Sequence, residues 1–81
     1  MPVVLRFKAY TFFSFSNEGI PREPLHIHVR KAAATAKIWL EPDITVADSF
    51  GMSAKELREL LRVARENKDA FAKAWKEHFH E

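Results

Sequence analysis

Cysteine is absent from the 81 residues. No disulfide can staple the fold, and no thiolate can serve as nucleophile or zinc ligand. That fits a reducing compartment, and the expectation is a cytoplasmic protein. Glycine is scarce, at two residues, so hairpin turns that ordinarily use glycine or asparagine must be made from other residues. No apolar run approaches the ~20 residues of a membrane helix, and no membrane partner is expected. The apolar start, Met1 to Phe15, is interrupted by Arg6 and Lys8 and has no small-residue cleavage site, so it does not read as a signal peptide. An excess of charge of one sign is also lacking overall: the net charge is +2.

The content is nonetheless that of a folded chain. Hydrophobic residues make up 47%, too many for disorder. The length suits one small domain over residues 1–81, which buries roughly 60–65% of its unfolded surface. Composition divides it into a β-rich part, 1–47, and a helical part, 53–80. The charge divides too. Residues 1–40 carry six Lys/Arg and two acids, giving +4, while residues 41–81 carry seven bases and nine acids, giving −2. The positive half points weakly to an anionic partner, although an ordinary solvated surface explains it equally well.

The most informative stretch is Leu25-His26-Ile27-His28-Val29-Arg30. It alternates strictly, so as a strand it sends Leu25, Ile27 and Val29 one way and His26, His28 and Arg30 the other. Thr35 to Glu41 alternates as well. A four-residue loop over 31–34 pairs Arg30 with Thr35, His28 with Lys37 and His26 with Trp39, and sets every apolar residue on one face. Val3 to Phe7 and Tyr10 to Phe15 form a second hairpin. A tight turn at Lys8-Ala9 sets Phe7 opposite Tyr10 and Leu5 opposite Phe12, although Lys-Ala is poor turn chemistry. In that register Phe13 and Phe15 fall on the second face, either buried centrally or offered to a partner.

Ser16 to Pro24 is a loop, punctuated by Asn17-Glu18-Gly19, Pro21 and Pro24. It carries Glu18 and Arg22 close to the histidine strand. Ile44 to Ala47 reads as a short edge strand and Asp48 to Gly51 as a turn. Ser53-Ala54-Lys55-Glu56 is a capping box, with Met52 and Leu57 as hydrophobic staple. Leu57, Leu60, Leu61 and Ala64 recur at helical spacing and must face the sheet. Phe71, Ala74, Trp75, His78 and Phe79 form a second stripe. Asn67 divides the two, so two helices, or one kinked helix, are expected.

His26 and His28 stand about 7 Å apart along one strand face. Two imidazoles at that separation can bracket a phosphate as base and acid, with Arg30 and Lys37 meeting its charge. The same pair can bind a metal, but a stable site needs three or four ligands, and only Glu18 and Glu41 are candidates to join them. The plainer reading is two structural histidines packed near Trp39, since His-x-His is a common accident. Trp39 beside Lys37 and Arg30 can stack a base or simply pack. The basic stripe Lys55, Arg58, Arg62 and Arg65 can track phosphates, but a solvated helix face accounts for it.

Taken together, the Met1-Pro2-Val3-Val4-Leu5-Arg6 start, Phe12-Phe13-Ser14-Phe15-Ser16-Asn17-Glu18-Gly19, Pro24-Leu25-His26-Ile27-His28-Val29, Ala36-Lys37-Ile38-Trp39-Leu40, Gly51-Met52-Ser53 and Lys55-Glu56-Leu57 carry a resemblance nearly end to end. The chain resembles a small bacterial family of domains of unknown function described as the DhiT-like toxin component of type II toxin–antitoxin pairs. The resemblance implies a small cognate antitoxin as partner and growth inhibition in its absence. It supplies no catalytic mechanism. Members of that family often carry glycine where this chain has Lys8-Ala9 and Ala32-Ala33-Ala34.

The expected fold is α+β: a small antiparallel sheet of four or five strands with two C-terminal helices packed on one face. The expected function is a toxin acting on RNA. His26, His28 and Glu18 are its catalytic candidates, and Arg22, Arg30, Lys37 and Trp39 its substrate contacts. Phe13 and Phe15 are the partner contacts. No cofactor or metal is expected. A non-catalytic protein- or nucleic-acid-binding module and a histidine-based metal-binding domain are the competing readings.

Overall fold

The structure is a computed structural model in which residues 3–14 and 24–78 are described. Five strands form one antiparallel sheet in sequence order: β1 (Val3–Phe7), β2 (Tyr10–Phe13), β3 (His26–Lys31), β4 (Ala34–Trp39) and β5 (Thr45–Phe50). Two helices follow, α1 (Ala54–Glu66) and α2 (Lys68–His78). The fold is therefore α+β, with the sheet and the C-terminal helices expected from the sequence. Among the described residues no helix is long and apolar enough to cross a membrane.

The period-two pattern sets the register of the central hairpin. His26 lies opposite Trp39, Ile27 opposite Ile38, His28 opposite Lys37, Val29 opposite Ala36 and Arg30 opposite Thr35. The amide of Leu40 donates to the Leu25 carbonyl at 2.8 Å, which carries the ladder one pair further. The loop is shorter than expected. Lys31 pairs with Ala34, so only Ala32 and Ala33 turn the chain. Ala32 accepts a φ of 53°, and Lys8, at the same position of the β1–β2 turn, also has a φ of 53°. Both turns place a side chain in the left-handed region that glycine enters without strain.

Two bulges alter the outer strands. Phe7 pairs with Tyr10 and Leu5 with Phe12, as expected, but an irregularity between Val3 and Leu5 sets Val3 opposite Phe13. Strict alternation therefore ends at Val4. The second irregularity lies in β4–β5, where Lys37 pairs with Asp48 but Ile38 pairs with Val46. The extra residue keeps the strand hydrogen-bonded beyond Ala47. The segment read as a turn, Asp48 to Phe50, is thus the second half of β5. Cross-strand pairing with Thr35, Ala36 and Lys37 overrides the turn-like chemistry of Asp48-Ser49-Phe50-Gly51.

The core joins one face of the sheet to the helices. Phe12, Leu25, Ile27, Val29, Ala36, Ile38 and Leu40 are buried in one cluster with Leu60, Val63 and Ala64 of α1 and Phe71 and Trp75 of α2. The Phe12 and Phe71 rings stack at 5.4 Å. The buried stripe of α1 includes Val63, which the expected pattern omitted, while Leu57 and Leu61 are only partly buried at its margin. Burial of a full leucine such as Leu60 stabilises by about 1.5–3 kcal/mol.

The capping box forms as the sequence requires. The Glu56 amide donates to Ser53 Oγ at 3.0 Å, and the Ser53 amide donates to Glu56 Oε1 at 2.9 Å. Glu56 does more than cap. Its Oε2 accepts from the Tyr10 hydroxyl at 3.0 Å and from Lys31 Nζ at 2.9 Å. The Ser53 amide, then Lys31, then Tyr10 hold its carboxyl down at about 2. Helix α1 is thereby tied to β2 and β3. At the other end Asn67 closes α1: its amide and its Nδ2 both donate to the Val63 carbonyl, at 3.0 and 2.9 Å. Its own carbonyl then accepts the first bond of α2 from Phe71 at 2.9 Å. The chain therefore makes two helices. The side chain of His78 and all of Phe79 lie outside the described residues.

Candidate functional site

The helices pack on one face of the sheet, Trp75 of α2 reaching His26 at its end, and the other face carries most of the polar and charged strand residues. Because paired residues share a face, the registers sort the open face into three cross-strand rows. Arg6, Thr11, Arg30, Thr35 and Phe50 form the first. Phe13, His28, Lys37 and Asp48 form the second. His26, Trp39 and Thr45 form the third. Neighbouring rows lie two residues apart along each strand, about 7 Å.

The first row is open to solvent, and Phe50 is 72% exposed at the sheet edge. The second row begins buried and ends exposed. Phe13 is 6% exposed, its ring stacked on His28 at 5.6 Å with the Arg30 guanidinium 5.4 Å above it. It lies on the second face as expected and, of the two alternatives of burial and display, is buried there. Phe15, Glu18 and Arg22 lie outside the described residues.

His28 is half-buried and Lys37 stands opposite it. A small cavity of about 160 Å³ opens here, lined by His28, Thr35, Lys37 and Asp48 with Ala36 and Ser49. In the third row Lys37 also reaches Trp39, placing its ammonium 4.5 Å from the centre of a half-buried indole. That geometry is a cation–π contact, and it holds a positive charge beside an aromatic plane.

His26 differs from His28. It is 1% exposed. Three rings close on it at centroid distances of 4.7 Å from Trp75, 5.3 Å from His28 and 5.6 Å from Trp39. Its Nδ1 lies 2.8 Å from the Pro24 carbonyl oxygen, which can only accept, so Nδ1 carries the proton. The two imidazoles expected to act as a matched pair thus stand edge-on, 87° between planes, one at the open face and one beneath it. No group of three histidine, aspartate or glutamate side chains suited to a metal ion comes together among the described residues.

Arg30, Lys37, Trp39 and His28 are brought together as expected from the sequence. Asp48 and Phe50 were missed. Both belong to the half of β5 that was read as a turn. The signal that could have found them is their own alternation with Ser49, which the bulge at Ala47 throws out of phase with Ile44 and Val46.

Chemically, the open face offers hydrogen-bond acceptors and donors, an aromatic plane and three cations, Arg6, Arg30 and Lys37. No curated protein and no solved structure matches the chain. A family model described as a domain of unknown function, DUF4160, matches residues 9–76, from the first hairpin turn to the last turns of α2, and the chain belongs to that family.

Proposed function

We propose that this chain is the toxin of a type II toxin–antitoxin pair and acts on RNA through the open face of its sheet. The observation that carries the RNA reading is the half-buried Trp39 ring with the Lys37 ammonium 4.5 Å from its centre, in the row next to His28. A base stacks on the indole in a sequence-tolerant way. Lys37, Arg30 and Arg6 meet the phosphates. The toxin reading rests on the family resemblance, which brings with it a small cognate antitoxin.

In this reading His28, the imidazole nearer the open face, must turn its buried Nε2 outward to reach the substrate, and the covered His26 fixes its position. Glu18 and Arg22, close in sequence to Pro24, are the further candidates for acid–base work and phosphate contact. Induction of the chain in bacteria, with and without the neighbouring antitoxin, tests the toxin reading: growth must stop only without it. Fluorescence anisotropy with single-stranded RNA across a salt series tests the RNA reading. Binding should weaken with salt at a slope of about −0.7 for each phosphate contacted. A binding module without catalysis is favoured by the burial of both imidazoles: His26 is covered, and the Nε2 of the half-buried His28 is shielded from solvent. His28→Ala separates the two. A general acid–base group contributes about 10²–10⁴-fold, so a folded variant that still arrests growth would show binding alone.

A further inference from the structure

Asp48 is out of place on a surface that tracks phosphates. Among the described strand residues of the open face it is the one carboxylate, on a face that also carries Arg6, Arg30 and Lys37. It is exposed, and the register places it directly opposite Lys37. Its Oδ1 accepts the amide of Ser49 at 2.9 Å, which restrains the carboxylate. Together with His28, Thr35 and Lys37 it lines the small cavity of about 160 Å³.

An ionised carboxylate accepts hydrogen bonds and donates none. The backbone of DNA has only acceptors to offer it, and its phosphates are repelled. The backbone of RNA adds one donor for every nucleotide, the 2′-hydroxyl. The rows set the distance. The row of Lys37 and Asp48 lies about 7 Å from that of Trp39, within reach of the sugar and phosphate of a base stacked on Trp39. Lys37 is then placed for the phosphate and Asp48 for the hydroxyl of the same nucleotide.

We infer that Asp48 selects ribose over deoxyribose, accepting a hydrogen bond from the substrate 2′-hydroxyl in the cavity it shares with His28 and Lys37. This rests on the nucleic-acid reading of the open face and specifies its substrate class. Anisotropy with the full chain and three labelled probes tests it: an oligomer of about ten uridines, its 2′-deoxy counterpart and its 2′-O-methyl counterpart, which keeps an acceptor oxygen but has no donor. The uridine oligomer should bind about tenfold more tightly than either of the others, the scale of one hydrogen bond to a charged group. Asp48→Ala should bring the three affinities together, chiefly by strengthening the deoxy and O-methyl complexes as the repulsion is removed. Asp48→Asn should retain part of the preference, because its amide oxygen still accepts. Equal binding of all three probes by the unaltered chain overturns the inference and leaves RNA binding standing. Failure to bind any probe overturns both. A preference that survives in Asp48→Ala while the melting temperature falls makes Asp48 a structural partner of Lys37 and overturns the inference as well.

Discussion

Phe12 and Phe13 are adjacent in the chain and both are buried, yet they belong to different worlds. Phe12 points into the helix-covered face, where its ring stacks on Phe71 and joins a cluster running through both helices. Phe13 points to the open face, where its neighbours are an imidazole and a guanidinium. The covered face is held by apolar area, which is non-directional and tolerant of chemistry as long as volume is kept. The open face is held by ring stacking, cation–π contacts and cross-strand pairs, each worth about 1 kcal/mol or less. One face of the sheet therefore carries the stability and leaves the other available for polar and charged groups that a core would not tolerate.

Substitutions can break or sharpen that contrast. The largest effect belongs to Phe12→Ala, expected to cost about 3–5 kcal/mol in a denaturant melt, as for a buried aromatic with no room to collapse. Phe13→Ala should cost less, about 1–3 kcal/mol. Equal losses would make the open face a second core. Trp39→Ala should move the contrast from stability to binding. It should weaken single-stranded RNA by about 1–3 kcal/mol, the worth of one stacked base, while the melting temperature shifts by only a few degrees. A large thermal loss with unchanged RNA affinity would make Trp39 packing.

The tie between the helices and the sheet can be read by pH. Glu56 has an ordinary value of 4.5 and is held at about 2 in the folded chain. A depressed carboxyl contributes stability that is fully present above its unfolded value and is lost as pH falls through the folded one. The protein should therefore lose stability between about pH 4.5 and 2, and Glu56→Gln should flatten that part of the profile. An unchanged acid limb in the variant would assign the loss to other groups. The smallest effects are expected at exposed side chains, including Arg62, whose guanidinium lies 5.9 Å from the Phe7 ring. Arg62→Ala, on the solvent side of α1, should stay within about 0.5 kcal/mol. Ala32→Gly relieves a φ of 53° but adds freedom to the unfolded chain, so its melt should shift by less than about 1 kcal/mol.

The register of the central hairpin was legible from residues 25–41 because alternation has only two phases, and the wrong one would expose Leu25, Ile27, Val29, Ile38 and Leu40 together. The capping box at Ser53 was legible because both of its hydrogen bonds close within four residues. The loop length at Ala32-Ala33 was not. Lys31 and Ala34 have no periodicity to place them, and nothing in an alanine run signals a left-handed φ. The candidate site was half legible: the histidine strand, Lys37 and Trp39 were found from their own hairpin, whereas Asp48 depends on a strand that joins the sheet from outside it.

Sequence by itself determined the pairing of the first two hairpins, where the helices begin and divide, and which side chains of β3 and β4 share a face. Those are decided by interactions a few residues apart, or by a two-fold choice that burial makes unambiguous. Only the tertiary structure decided that β5 runs on to Phe50 through a bulge, that Asp48 completes the row of His28 and Lys37, and that Trp75 reaches across to cover His26. Each of those depends on where a distant segment comes to rest. A side chain's exposure is set by what packs over it, and in this chain Trp75 stands 49 positions beyond the histidine it covers.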